Sequence, residues 1–106
     1  MFDPELDELR REFLAEADEK VREMEGRAAD RSPETLERLT YLSHQLKGSG
    51  GSYGFQVISD DAAELEKAAE QLSTSRSPDG LTAKIQRHLA NLRYEIDRRT
   101  RELSAQ

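Results

Sequence analysis

Apolar positions recur every three or four residues in four separate stretches of the chain, which is the spacing of a helical stripe. In the first stretch they fall at Phe2, Leu6, Leu9, Phe13, Ala17, Val21 and Met24, so one face of a long helix is expected to turn inward. Asp3-Pro4 ahead of it supplies a capping side chain and a proline at the first helical position. Gly26 and the polar run to Arg31 mark where this helix frays. Ser32-Pro33-Glu34 repeats the start signal, and the second stripe follows at Leu36, Leu39, Leu42 or Ser43, Leu46, Gly50 and Tyr53. The third stripe is Ile58, Ala62, Leu65, Ala69 and Leu72, giving way to a polar loop at Ser73-Thr74-Ser75-Arg76. Ser77-Pro78-Asp79 opens the fourth, at Leu81, Ile85, Leu89, Leu92, Ile96 and Leu103. No stretch alternates with period two, and no hairpin dipeptide separates β-branched runs. Short connections favour antiparallel neighbours. The expected fold is therefore all-α, an antiparallel up-down four-helix bundle, with residues 1–106 forming a single domain.

Composition narrows the function classes. Of 106 residues, 35% are hydrophobic and 36% charged, with a formal net charge of −6. Helices sharing one modest core suit this balance better than a large sheet does. An acidic surface argues against non-specific nucleic-acid binding and against an anionic membrane surface, both of which need clustered lysine and arginine. Basic residues do gather at Arg93, Arg98, Arg99 and Arg101, where they complement a helix C-terminus. The chain has no cysteine, hence no disulfide framework and no thiolate metal site. Nothing approaches the roughly 18 apolar residues of a membrane span, and Met1-Phe2-Asp3-Pro4-Glu5 lacks a signal-peptide pattern. A cytoplasmic protein is expected, and a monomer, because a closed bundle consumes its stripes.

The chemistry concentrates in His44-Gln45-Leu46-Lys47-Gly48-Ser49-Gly50-Gly51-Ser52-Tyr53-Gly54. At about 100° per residue, a stripe centred on Leu39, Leu46 and Tyr53 leaves His44 roughly 140° away, facing solvent. Lys47 and Gly48 lie one turn along on the same side, and Gly51 falls in line two turns along. Tyr41 and Glu37 extend this face toward the helix start. Glycines inside a helix cost about 1 kcal/mol each relative to alanine, so Gly48, Gly50 and Gly51 call for compensation from packing or function. On composition alone the stretch could equally be a flexible loop. Gly48 and Gly51 strip side chains from the His44 face, so that another protein's backbone can come close, whereas Gly50 points inward and lets a helix approach.

A neutral imidazole has one nitrogen with a free lone pair and can accept a phosphoryl group in an in-line transfer. Such a transfer is mostly positioning and charge neutralisation. Lys47, three residues on, can bring an ammonium to the phosphate oxygens. The face carries no metal-ligand cluster, so no metal or cofactor is expected on this chain, and Mg²⁺ is expected on the partner. A lone surface histidine is usually inert and a lone lysine usually solvated; the joint phasing on one face is what points to function. A phosphate-binding P-loop is excluded because Lys47 precedes the glycines, and a dinucleotide fingerprint because Tyr53 stands where a glycine is required. His88, the other histidine, lies beside Leu89 without a Lys-Gly context and is expected to play a surface or boundary role.

These residues resemble the histidine phosphotransfer (HPt) signature, His-x-Leu-Lys-Gly-x-x-x-x-x-Gly. The similarity continues through Phe55, Ile58, Ala62 and the pair Leu65-Glu66, so that its specific part covers positions 39 to 69. The resemblance implies an elongated four-helix bundle with the active histidine exposed on the second helix. It implies that His44 is the phosphoacceptor, at Nε2, and that Lys47 is the basic residue beside the phosphate. Glu37, Tyr41, Gln45, Gly48 and Gly51 would meet the docked partner, with a hydrogen bond from Gln45 to the imidazole or phosphate. The implied partners are a response-regulator receiver domain and an upstream histidine kinase. The domain would be a carrier relaying phosphate between aspartyl phosphates, without autokinase activity. Two alternatives stay open: the N-terminal phosphotransfer domain of a chemotaxis-type histidine kinase, and a non-catalytic helical interaction module. Retention of His44, Lys47 and both access glycines argues against the module.

Overall fold

The computed structural model describes residues 3–74 and 80–105. They form α1 (Pro4–Arg27), α2 (Pro33–Ser52), α3 (Gln56–Thr74) and α4 (Leu81–Ser104), with no strand among the described residues. The first two starts follow the sequence signals. The Asp3 carboxylate accepts from the backbone N–H groups of Glu5 and Leu6 at 3.1 and 3.2 Å, with Pro4 as the first helical residue. Ser32 Oγ accepts from the Thr35 N–H at 3.2 Å, with Pro33 as the first helical residue. The Ser77-Pro78-Asp79 signal lies outside the described residues. Ser73 and Thr74, expected in a loop, instead complete the last turn of α3, where their hydroxyls bond back to the Glu70 carbonyl and so do not compete with the helix.

Side-chain ties show that α1 runs antiparallel to both α2 and α4. The start of α1 meets the end of α2, where Arg10 Nε donates to the Tyr53 carbonyl. The end of α1 meets the start of α2 through Glu23 and Arg38. Arg11 of α1 donates to the Leu103 carbonyl at the far end of α4, while Arg93 earlier in α4 pairs with Asp18 and Glu25. Helices α2 and α3 pack along their length, as do α3 and α4, and α4 closes against α1. The result is a rod of 50 × 20 × 20 Å.

One core runs along this rod. It takes Phe13, Ala17, Val21 and Met24 from α1, Leu36, Leu39, Leu42 and Leu46 from α2, Ile58, Ala62, Leu65 and Leu72 from α3, and Ile85, Leu89, Leu92 and Ile96 from α4. Leu9 departs from the expected stripe: it is exposed, and Leu14 is buried instead. Steps of four residues drift about 40° round a helix, so a stripe continued that way from Phe13 to Leu9 leaves the core face.

The α2–α3 turn locks the functional end of α2. The Phe55 N–H bonds the Gly50 carbonyl at 2.8 Å and the Gly54 N–H bonds the Gly51 carbonyl at 3.2 Å, the paired pattern of a Schellman cap. Gly54 sits at φ +83, a conformation that favours glycine. Phe55 then stacks on Phe13 at 5.5 Å, and Tyr53 lies 5.5 Å from the same ring, so α1 clamps the turn.

Candidate functional site

The glycine-rich stretch is helical through Ser52, not a loop. Its glycines divide by surroundings. A methyl group on Gly50 would lie 3.3 Å from the Ser59 nitrogen and 3.4 Å from Ile58 Cγ2 and the Phe55 carbonyl, so this glycine lets α3 approach. A methyl group on Gly48 would meet nothing within 4 Å beyond its own helix, and on Gly51 only Ser59 Oγ at 3.6 Å. Internal packing therefore does not require glycine at 48 or 51. Both are exposed, in line with His44.

His44 is 67% exposed, as its phase on α2 predicts. Its ring is nevertheless held. Nδ1 lies 2.8 Å from Glu66 Oε2, and Lys47 Nζ lies 2.9 Å from Glu66 Oε1. One carboxylate on α3, only 13% exposed, thus bridges the two residues picked out on α2. Burial is the largest single influence on Glu66 and raises its pKa. The hydrogen bonds and charges of Lys47 and His44 together outweigh that, and the group is held below the ordinary carboxylate range. An ionised carboxylate only accepts, so the contacting Nδ1 carries the hydrogen. In the neutral ring the lone pair is then on Nε2, on the side away from Glu66.

The other expected contact residues lie on the same helix. Glu37 and Tyr41 are exposed, and Gln45 is half-buried. Gln45 Nε2 donates to the Tyr41 hydroxyl at 2.8 Å, so it is turned along α2 and not to the imidazole. The Arg38 guanidinium lies 5.5 Å over the Tyr41 ring and also bonds Glu23 on α1.

Sequence reasoning assigned no role to Glu66, Arg38 or Glu23. Glu66 stood within the matched Leu65-Glu66 pair, but the spacing of 22 residues to His44 becomes informative only once α2 and α3 are paired in register. The arginines near the C-terminus are met by carboxylates: Arg98 and Arg99 both reach the buried Glu95. His88 is 17% exposed, with Nδ1 2.8 Å from Asp61, a boundary position as expected. No helix among the described residues is long and apolar enough to cross a membrane.

One comparison with known proteins gives a match. The family profile described as Hpt domain matches residues 8–98, which covers all of α2 and α3 and most of α1 and α4. No curated protein and no solved structure matches the chain significantly. The profile match spans well over half of the chain and includes the helix carrying His44, Lys47, Gly48 and Gly51. The chain therefore belongs to the Hpt domain family and is a phosphotransfer carrier of two-component signalling.

Proposed function

We propose that His44 is the phosphoacceptor, exchanging a phosphoryl group with the aspartate of a response-regulator receiver domain that is itself charged by an upstream histidine kinase. The observation that carries this reading is the single carboxylate of Glu66 holding both His44 Nδ1 and Lys47 Nζ beneath an open, glycine-lined face.

The chemistry follows from that arrangement. The Nε2 lone pair attacks phosphorus in line, an N–P bond forms, and the acyl-phosphate P–O bond breaks with its electron pair returning to the receiver's carboxylate. The ring then carries Nδ1–H and a positive charge, which Glu66 balances at hydrogen-bond distance. The ring neither rotates nor loses a proton during transfer, so the step reverses by the same path. Lys47 is 40% exposed at its side chain and reaches Glu66 from the His44 side, from where its ammonium can turn to the phosphate oxygens. Gly48 and Gly51 admit the receiver's backbone, and Glu37, Tyr41 and Gln45 line its approach. Mg²⁺ and the remaining catalytic groups belong to the receiver, so this chain acts as a monomeric carrier without autokinase activity.

The test is phosphate uptake from receiver domains charged with acetyl phosphate, comparing wild type with His44→Gln. Uptake that is acid-labile, base-stable and abolished in His44→Gln is expected. Uptake that survives the substitution would move the acceptor elsewhere. Uptake from no receiver would remove the receiver from the reading.

A further inference from the structure

Tyr41 stands out among the exposed side chains because it is held from several directions without being buried. It lies three residues before His44 on the same face of α2, and the residue is 52% exposed. Its hydroxyl accepts from Gln45 Nε2 at 2.8 Å. The Arg38 guanidinium lies over its ring, 5.5 Å from the centroid. Arg38 is in turn gripped by both oxygens of Glu23 on α1, at 2.5 and 2.9 Å, and Glu23 also accepts from Arg27 at 3.1 Å. A chain of contacts thus runs from α1, through Arg38, to a solvent-facing aromatic ring beside the phosphoacceptor.

The internal return of this arrangement is small, a surface ion pair between α1 and α2. Ordering an exposed arginine and an exposed tyrosine costs side-chain entropy, and exposed ion pairs add little to stability. The ring buries little against the bundle. A partner that covers it collects the benefit: an aromatic ring already fixed in one orientation presents apolar area without a further ordering cost, which is how tyrosine serves as an interface anchor. The occupant follows from continuity, because any protein that brings an aspartyl phosphate to His44 Nε2 must rest on the turn that carries Tyr41.

We infer that Tyr41 is the aromatic anchor for the docked receiver, and that Arg38 and Glu23 are positioning residues that set receiver affinity by fixing its ring. This inference rests on the receiver-fed reading of His44. It adds that α1, which carries no residue of the phosphotransfer site, tunes partner recognition through Glu23. The family of receivers it selects would present an apolar patch to the ring, with the Arg38 guanidinium plane behind it and not facing the partner.

The experiment measures KM and kcat for phosphate uptake from the most efficient charged receiver of a panel. Tyr41→Ala should raise KM about thirtyfold, the range of an anchor residue, with the effect falling on KM rather than kcat. Tyr41→Phe keeps the ring and the Arg38 contact and should restore KM to within about threefold of wild type. Arg38→Ala should raise KM about fivefold. The decisive result is the pair: in a Tyr41→Ala background, Arg38→Ala should add nothing, because its effect passes through the ring. Multiplying effects would overturn the positioning role and make Arg38 a direct contact. An unchanged KM in Tyr41→Ala, with wild type still charged by the receiver, would overturn the anchor while leaving the function of His44 intact. A wild type charged by phosphoramidate but by no receiver would remove both the anchor and the receiver-fed reading.

Discussion

His44 and His88 are built alike at one nitrogen and differently at everything else. Each offers Nδ1 to a carboxylate of α3 at 2.8 Å, Glu66 in one case and Asp61 in the other. Orientation by a carboxylate is thus not what marks a site in this bundle. At His88 the side chain is 17% exposed, and Asp61 is shared with Asn91, a neutral donor at 3.2 Å. At His44 the side chain is 67% exposed, and the carboxylate is shared with a lysine. Beyond that lysine, the positions in line with His44 are Gly48 and Gly51, both exposed. The contrast separates what holds an imidazole from what exposes it: holding is common to both, while exposure and an adjacent cation belong to His44 alone of the two.

The largest expected effect is complete loss of uptake in His44→Gln, because the substitution removes the proposed nucleophile. The next largest effect should come from closing the access without touching the imidazole. Gly48→Leu places a side chain in open space on the His44 face. Transfer from a receiver should fall by about a hundredfold, the order of loss expected when a reacting pair is held an ångström too far apart. Stability should rise by about 0.8 kcal/mol, because leucine is the better helix former at an exposed position. The two changes move in opposite directions, as read by transfer kinetics and thermal unfolding. A Gly48→Leu protein that loses activity only because it unfolds would show that Gly48 serves packing, as Gly50 does.

That opposition also explains how much was legible beforehand. The four helices could be read because each stripe has a period of three or four residues, and the N-caps of α1 and α2 use side chains that the chain places directly before a proline, whereas α4 is capped by Gly80 without a side-chain bond. The exposure of His44 followed from its angle to Leu39 and Leu46. Its partner did not follow, because Glu66 is one acidic residue among many on α3, and only the antiparallel register of α2 and α3 selects it. Leu9 and Leu14 exchanged places for a related reason: a four-residue step overshoots the helical turn, and a pattern of apolar letters does not say when the stripe drifts. Gln45 was expected to bond the imidazole or the phosphate; its amide is turned to the Tyr41 hydroxyl one turn back along its own helix. The division of the glycines was legible in direction, inward for Gly50 and outward for the other two, though not in its tightness.

Smaller effects should come from the shared carboxylate. Lys47→Ala removes the ammonium proposed to meet the phosphate and should slow transfer about thirtyfold without abolishing it. Glu66→Gln should slow it about tenfold, since a carboxamide can meet Nδ1 with either oxygen or nitrogen and no longer fixes the hydrogen there. The acid dependence has a definite sign. The Glu66 pKa is lowered from an ordinary value near 4.5, so its contribution to stability is present above that value and is lost as pH falls through the lowered one. Thermal unfolding of Glu66→Gln should therefore lose part of the wild-type decline below about pH 4.5. A variant with the wild-type acid profile would show that the bridge to Lys47 and His44 contributes nothing to folding.

The smallest effect tests the comparison from its other side. His88→Gln leaves Asp61 with Asn91 as a donor and opens no access, so transfer should stay within about twofold of wild type. Stability should fall by about 1 kcal/mol, the loss of one part-buried hydrogen bond, seen as a downward shift of a few degrees in Tm. If a carboxylate-held imidazole were sufficient for phosphoryl uptake, His88 would take up acid-labile phosphate slowly in the His44→Gln protein, and the His44→Gln/His88→Gln double variant would lose it. Finding no phosphate in either protein would leave exposure, the adjacent lysine and the glycine-lined approach as the features that make one of two similarly held histidines a carrier.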